Sequence, residues 1–400
     1  MAGADTGKGM PHLFAGLIAC GLVAAVLLGA EMMAVHLERA TVRASAPELF
    51  PLKNQGLAFQ RAAARAPNVI PLYASSELTA VLVPERAHVF FRTAPTGFQI
   101  SPVGAGGARC LTMSQKLAAL GSDLHGKKVA ISLSPPWFLT RDSGGESYKG
   151  NFSVIAAMET VFGAALDFEL KRDIASRMLN YPRTLENSPF LEFALRRLAS
   201  DHWLDRLGFW AIWPVGKAQT MILELQDHVA ASSRIHHKIK PAAPFYPETI
   251  DWPKLIASVS GTNSATDADK VIRASSPNEE RRVGYRDRAF RDDMNASPGW
   301  TDLELLLRTL AKVHARPLLL SMPLAGDFYD RMGVSRSARQ NYYTKLRALA
   351  KRYHFPLVEF KDHDEDPAFL YLQKSHLTMK GWIYYDRALD DFFQGRVPRG

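Results

Sequence analysis

Val69-Ile-Pro-Leu-Tyr-Ala-Ser-Ser-Glu-Leu-Thr79 is a short apolar run that stops at two serines and gives way to a polar, helix-capable segment. A strand feeding a tight turn into a helix lifts the turn side chain above the sheet edge, where the following backbone N–H groups favour negative charge. The stretch therefore predicts a strand of an α/β sheet ending on a candidate nucleophile, Ser76. Pro71 removes one ladder donor, so the strand proper is expected from Leu72. A nucleophilic serine needs a base. The stretch that looks built to supply one, Ser375-His-Leu-Thr-Met-Lys-Gly-Trp382, lies near the opposite end of the chain.

Alternating helices and short strands extend this reading outward. Val89-Phe-Phe91 is a second short apolar run, followed by the glycine-rich Val103-Gly-Ala-Gly-Gly-Ala108 and a helix over Leu111 to Leu124. Val129-Ala-Ile-Ser-Leu133 reads as a buried parallel strand, stopped by Ser134-Pro-Pro-Trp-Phe138. Trp137 at that strand end either lines a pocket or fills a core corner. Ser153 to Ala231 is mostly helical and rich in large apolar residues, a helical insertion whose boundary falls near residue 250. Gly261 to Ala296 is polar and reads as a surface segment. Thr301-Asp-Leu-Glu304 and Ser337-Ala-Arg-Gln340 match capping boxes, opening helices to Val313 and Tyr353. Pro317 to Pro323 and Phe355 to Phe360 read as strands, and Thr378 to Phe393 as the last helix. This alternation means βαβ units and a largely parallel sheet flanked by helices.

The chain has 400 residues, 47% of them hydrophobic, enough for a sizeable core. Its 49 Lys and Arg exceed its 40 Asp and Glu, giving a net charge of +9. That excess suits a membrane surface or an anionic cell-envelope glycan. No arginine-rich block alternates with aromatics, which argues against nucleic acid as a partner. Two cysteines cannot build a disulfide framework or a cysteine zinc site, and His236-His237 lacks ligand spacing, so no metal or cofactor is expected.

Leu13 to Ala30 is free of charge, and Met32 to Val35 lengthens the run to that of a membrane-spanning helix. A cleaved signal peptide is the competing reading, but the run exceeds the usual apolar region and no good cleavage pattern follows it. Lys8 precedes the span whereas Arg39 and Arg43 follow it, so the positive-inside rule gives no support to an outward-facing domain. The expected organisation is a tail at 1–12, an anchor at 13–35, a juxtamembrane connection at 36–66 and an α/β domain at 67–396.

Sites in such sheets form at the carboxyl ends of strands. Ser76, the glycine turn and His376 all belong there. His376 is the candidate base for the Ser76 hydroxyl, and N–H groups near Ser76 and Gly106 or Gly107 are candidate oxyanion donors. The competing reading has Ser76 as a helix cap and His376 as a loop histidine.

Read together, several short stretches carry a resemblance. They are the N-terminal anchor, Ala74-Ser-Ser-Glu-Leu78, Lys127-Lys-Val with Ser134-Pro-Pro-Trp-Phe138, Phe152-Ser153, Ser297-Pro298 with Asp302-Leu303, Pro323, Tyr342-Tyr343, and His376-Leu with Lys380-Gly-Trp382. In this order they resemble the D-alanyl-lipoteichoic acid biosynthesis protein DltD family, whose fold is similar to SGNH (GDSL-like) hydrolases with a flavodoxin-like parallel sheet. The resemblance implies an extracytoplasmic, single-pass membrane protein with Ser76 as nucleophile and His376 as base. It also implies action on a teichoic-acid-like polymer beside a membrane-bound O-acyltransferase. Two positions depart from the family pattern. Ala74 stands where the family has glycine, and Gln373 where it has the aspartate that orients the histidine. Asp362 or Asp364 is a possible substitute, a Ser-His dyad is a second reading, and a noncatalytic partner of the acyltransferase is a third. A deacylase that uses water in place of a polymer hydroxyl is the remaining alternative.

Overall fold

The structure, a computed structural model, describes residues 10–80, 82–141, 144–260, 284–371 and 376–400. Gln373, most of the 1–12 tail and the first part of the polar stretch from Gly261 lie outside the described residues.

Helix α1 spans Met10–Ala40, and none of its most apolar window is buried against protein. Its far end is tied into the domain. Leu37 packs against a cluster containing Phe50, Phe59, Ala231 and Ile235, and the buried Glu38 carboxylate lies 2.7 Å from His228 Nδ1. The next elements are α2 (Ala58–Arg65), β1 (Val69–Tyr73), β2 (Gln99–Val103), α3 (Cys110–Leu120) and β3 (Lys128–Leu133). The helical insertion follows as α4 (Val154–Phe162), α5 (Phe168–Met178), α6 (Pro189–Ala199) and α7 (Trp203–Lys238). Then come α8 (Gly299–Lys312), β4 (Arg316–Ser321), α9 (Arg336–Arg352), β5 (Leu357–Glu359), the short strands β6 (Leu370–Tyr371) and β7 (His376–Leu377), and α10 (Met379–Gln394).

The main sheet runs β2-β1-β3-β4-β5 with all neighbours parallel. This flavodoxin-like order places a switch point between β1 and β3, where a crevice opens beyond the strand ends. Strand residues alternate between two apolar layers. Tyr73, Val129, Ile131 and Leu319 join the cluster under α3 and α8, whereas Ile70, Leu72, Ala130, Leu318 and Leu320 join the one under α10. A sheet covered on both faces needs apolar side chains at successive positions, which is why these strands read as continuous apolar runs. Each fully buried leucine adds roughly 1.5–3 kcal/mol.

Four local expectations are corrected. Val89-Phe90-Phe91 is not a strand: Ala87–Phe90 is helical, and the Phe91 ring packs tilted on Phe98 with centroids 4.3 Å apart. The second strand is β2, whose Pro102 is tolerated because an edge strand has one ladder to satisfy. Strand β1 starts at Val69 on the β2 side, and only its pairing with β3 waits until Leu72. Neither capping box forms. At α8 the Ser297 hydroxyl accepts the Gly299 N–H at 3.3 Å, and at α9 Ser335, not Ser337, accepts the Ala338 N–H at 3.2 Å. Glu304 instead accepts a hydrogen bond from Arg352 at 2.7 Å, and Asp302 takes a buried pair with Arg177 at 2.6 Å.

Candidate active site

Strand β1 delivers both serines into a 3₁₀ turn over Ser76–Leu78, and their roles divide there. Ser75 is buried, and its hydroxyl donates to the Ala105 carbonyl at 3.4 Å, tying this turn to the glycine turn after β2. Ser76 is half-buried, and its Oγ lies 2.9 Å from His376 Nε2. Ala74 fits the place of the family glycine because it avoids positive φ and its N–H donates to the Val103 carbonyl at 3.1 Å. Glycine is required at Gly104 instead: with φ +150°, a Cβ there would stand 1.9 Å from the Ala74 carbonyl oxygen.

His376 lies on β7, where it pairs antiparallel with Tyr371 of β6, and not in an irregular loop. Two residues on, Thr378 caps α10 by accepting the Gly381 N–H at 3.3 Å, while its hydroxyl donates to the Ala368 carbonyl at 2.5 Å. Burial lowers the His376 pKa, which favours the neutral imidazole that a base requires. In the tautomer that accepts from Ser76, the proton sits on Nδ1. That buried atom has no hydrogen-bond partner among the described residues.

Neither candidate aspartate is hydrogen-bonded to it there. Asp364 accepts the Leu324 N–H at 2.8 Å and the Tyr343 hydroxyl at 2.5 Å, and burial pushes its pKa up to about 7. Asp362 is exposed and pairs with Lys361 at 2.7 Å.

Gly106 is exposed beside the serine, and a Cβ built on it would lie 4.0 Å from Ser76 Cβ. Its carbonyl accepts from Asn151 Nδ2 at 2.9 Å. A trans peptide carries its C=O and the next N–H on opposite sides, so this bond turns the Gly107 N–H away from Asn151. Gly107 has φ +83°, a conformation that suits glycine. Behind Asn151, Asn54 donates to its side-chain oxygen at 3.5 Å, and the buried Lys116 donates to Asn54. Sequence reading missed these three supports. Only Asn151 had any signal, as the neighbour of Phe152-Ser153.

Glu77, next to the candidate nucleophile Ser76, is buried, and burial raises its pKa. Charge is disfavoured there, where it would oppose an oxyanion. Trp137 belongs to the core and not to a groove rim: it is 8% exposed within the main apolar cluster, and its carbonyl accepts from Ser297 at 3.2 Å. Pro135 and Pro136 open the 3₁₀ turn that carries both aromatic rings inward. Among the described residues, no group of three His, Cys, Asp or Glu side chains is arranged to hold a metal.

A hydroxyl bonded to an imidazole that burial keeps neutral, beside an exposed glycine turn, has the makings of acyl transfer through a serine ester. Comparison with known proteins places the chain among relatives of one kind. A family model described as DltD protein matches residues 46–394. Protein DltD of Bacillus subtilis is 27% identical over 374 residues, covering 89% of this chain and 90% of that protein. Protein DltD of Staphylococcus aureus is 21% identical over 73% of each chain. Protein DltD of Lacticaseibacillus rhamnosus is 23% identical, with 93% of this chain and 90% of that protein covered.

Proposed function

The chain belongs to the DltD family, and on that premise we propose that it is a membrane-anchored serine acyltransferase or esterase. It acts on an ester-linked acyl group, D-alanyl-like or acetyl, of a teichoic-acid-like polymer. The observation that carries this reading is the 2.9 Å contact between Ser76 Oγ and His376 Nε2 at the carboxyl edge of the sheet.

The chemistry follows from the positions. His376 Nε2 takes the Ser76 proton as Oγ attacks the ester carbonyl, and the carbonyl π electrons move onto oxygen. N–H groups near Ser76 and of Gly106 or Gly107 hold that oxyanion. Collapse expels the first alcohol, which takes the proton from Nε2, and leaves an acyl ester on Ser76. A polymer hydroxyl, deprotonated by the same nitrogen, then attacks that ester and releases the serine. Ser76 is half-buried beside an exposed Gly106, so the serine is reached from solvent. The domain works outside the cytoplasm beside a membrane-bound O-acyltransferase that supplies acyl groups across the membrane. Water as the acceptor would make the same site a deacylase.

One observation favours a noncatalytic partner that positions the acyl donor or the glycan: His376 Nδ1 lacks an acceptor among the described residues. Labelling with a serine-reactive fluorophosphonate separates the readings. Labelling of the wild type that is lost in folded Ser76→Ala and His376→Ala supports catalysis, and a folded wild type that never labels supports the partner role.

A further inference from the structure

We propose that a cleft at the exit of α1 binds the phosphate headgroup of an anionic phospholipid, so that lipid holds the domain on the membrane surface. The inference rests on the anchored reading and is independent of the serine chemistry. The cleft, of about 670 Å³, is walled by the end of α1, by α2 and by the segment before β3.

Its charges are unbalanced. Arg65 is neutralised by Asp123, with contacts of 2.7 and 3.0 Å. Arg39, Arg43 and Lys127 have no carboxylate partner among the described residues; Arg43 stacks on Phe245 at 3.7 Å, and Lys127 donates to the Arg65 carbonyl at 3.4 Å. Three unneutralised cations in one concave site favour a compact anion. Val42, Ala62 and Pro67 add apolar wall beside them, suited to the glycerol and upper acyl carbons of a lipid.

Depth selects the lipid over free phosphate. Arg39 follows Val35, the last apolar residue of the span, by four positions, about 6 Å along a helix. Headgroups occupy roughly 5–8 Å beyond the hydrocarbon on each side. The cleft therefore lies at the headgroup layer when the span is centred. Basic residues following a span run against the usual charge bias for an outward domain, and a headgroup site gives them a reason to be there. A neighbouring cleft extends the basic edge to Lys128 and Arg316, at the amino ends of β3 and β4. Ser76 is at the other edge, about 16 Å away along five residues of β1. A lipid bound here thus fixes which sheet edge faces the membrane and leaves the serine edge turned to the polymer.

The test is native mass spectrometry of the full-length chain in neutral detergent, with phosphatidylglycerol and phosphatidylcholine of the same acyl chains offered equally. One phosphatidylglycerol retained with about tenfold preference, lost in Arg39→Gln/Arg43→Gln and kept in a charge-matched Arg288→Gln/Arg291→Gln control, supports the site. Equal loss in both variants, or equal retention of the two lipids by the wild type, overturns it in favour of general surface charge. Displacement by millimolar inorganic phosphate overturns the lipid assignment. The intact mass in the same spectrum separates the premise: a chain lacking the span refutes the anchor and the headgroup placement together, whereas lipid parity at full mass refutes the cleft alone. Fluorophosphonate labelling is unchanged in either variant.

Discussion

His376 reaches Ser76 through Nε2, yet burial lowers its pKa and no described acceptor waits at Nδ1. A carboxylate at that nitrogen would stabilise the imidazolium formed during attack and raise the pKa. Serine attack needs the neutral ring, so the labelling rate is expected to rise with pH through a midpoint below about 6.5, the ordinary histidine value, and to be flat above neutrality. A midpoint above that value, measured as labelling rate against pH, would show that a carboxylate supports the ring after all. Triads that lose their aspartate fall by about 10⁴ in turnover, so slow labelling is expected too. Asp364 is committed elsewhere, to the Leu324 N–H and the Tyr343 hydroxyl. Asp364→Asn is therefore expected to lower stability by roughly 1–3 kcal/mol in a melting experiment while leaving the labelling rate near wild type.

Two turns, after β1 and β2, make up the oxyanion side of the proposed site, and their support is testable element by element. Gly104→Ala forces a Cβ against the Ala74 carbonyl and strains a positive φ. A loss of roughly 1–3 kcal/mol or more is expected in denaturant unfolding. Asn151→Asp keeps the shape but loses the N–H that holds the Gly106 carbonyl. Labelling about tenfold slower or worse is expected, with the pH midpoint unmoved. Unchanged labelling with a lowered melting temperature would make Asn151 merely structural. The same turns mark how far the sequence could be read. Ser76 was legible because an apolar run ends abruptly on polar residues, and β3, β4 and α10 because burial on both faces or a periodic face leaves a direct trace. Strand β2 was not, since Gln99-Ile-Ser-Pro-Val103 carries polar residues and a proline that only an edge position excuses. The helix starts slipped because α8 begins at Gly299, ahead of Thr301, with Pro298 at its cap and Ser297 accepting the Gly299 N–H, and because Ser335, not Ser337, holds the cap of α9. Asn54, Asn151 and Lys116 act by touching main chain or one another across long sequence separations, and no local pattern encodes that.

Where the anchor meets the domain, beside the apolar packing of Leu37, lies a buried charge pair, Glu38 on α1 with His228 on α7. Both side chains are nearly sealed from solvent, and the hydrogen bond to Glu38 is the chief cause that raises the His228 pKa. A histidine whose folded pKa exceeds its unfolded value contributes stability that is complete below about pH 6.5 and is lost as pH rises through the folded value. The dock of α1 on α7 is therefore expected to weaken from neutral toward alkaline pH, not toward acid. Full-length protein in detergent should melt progressively lower as pH climbs past the folded value, and His228→Gln should flatten that slope. His228→Ala leaves the Glu38 carboxylate buried without its partner and is expected to cost roughly 3–5 kcal/mol. The loss should concentrate at the dock, because the parallel sheet and its two apolar layers do not include either residue. Hydrogen exchange that opens Leu37 to Ala40 and the last turns of α7 in His228→Ala, while β1, β3 and β4 stay protected, would place the joint between membrane helix and domain at this pair. Exchange spread evenly over the sheet would mean that anchor and domain fold as one unit and that the pair is not a joint.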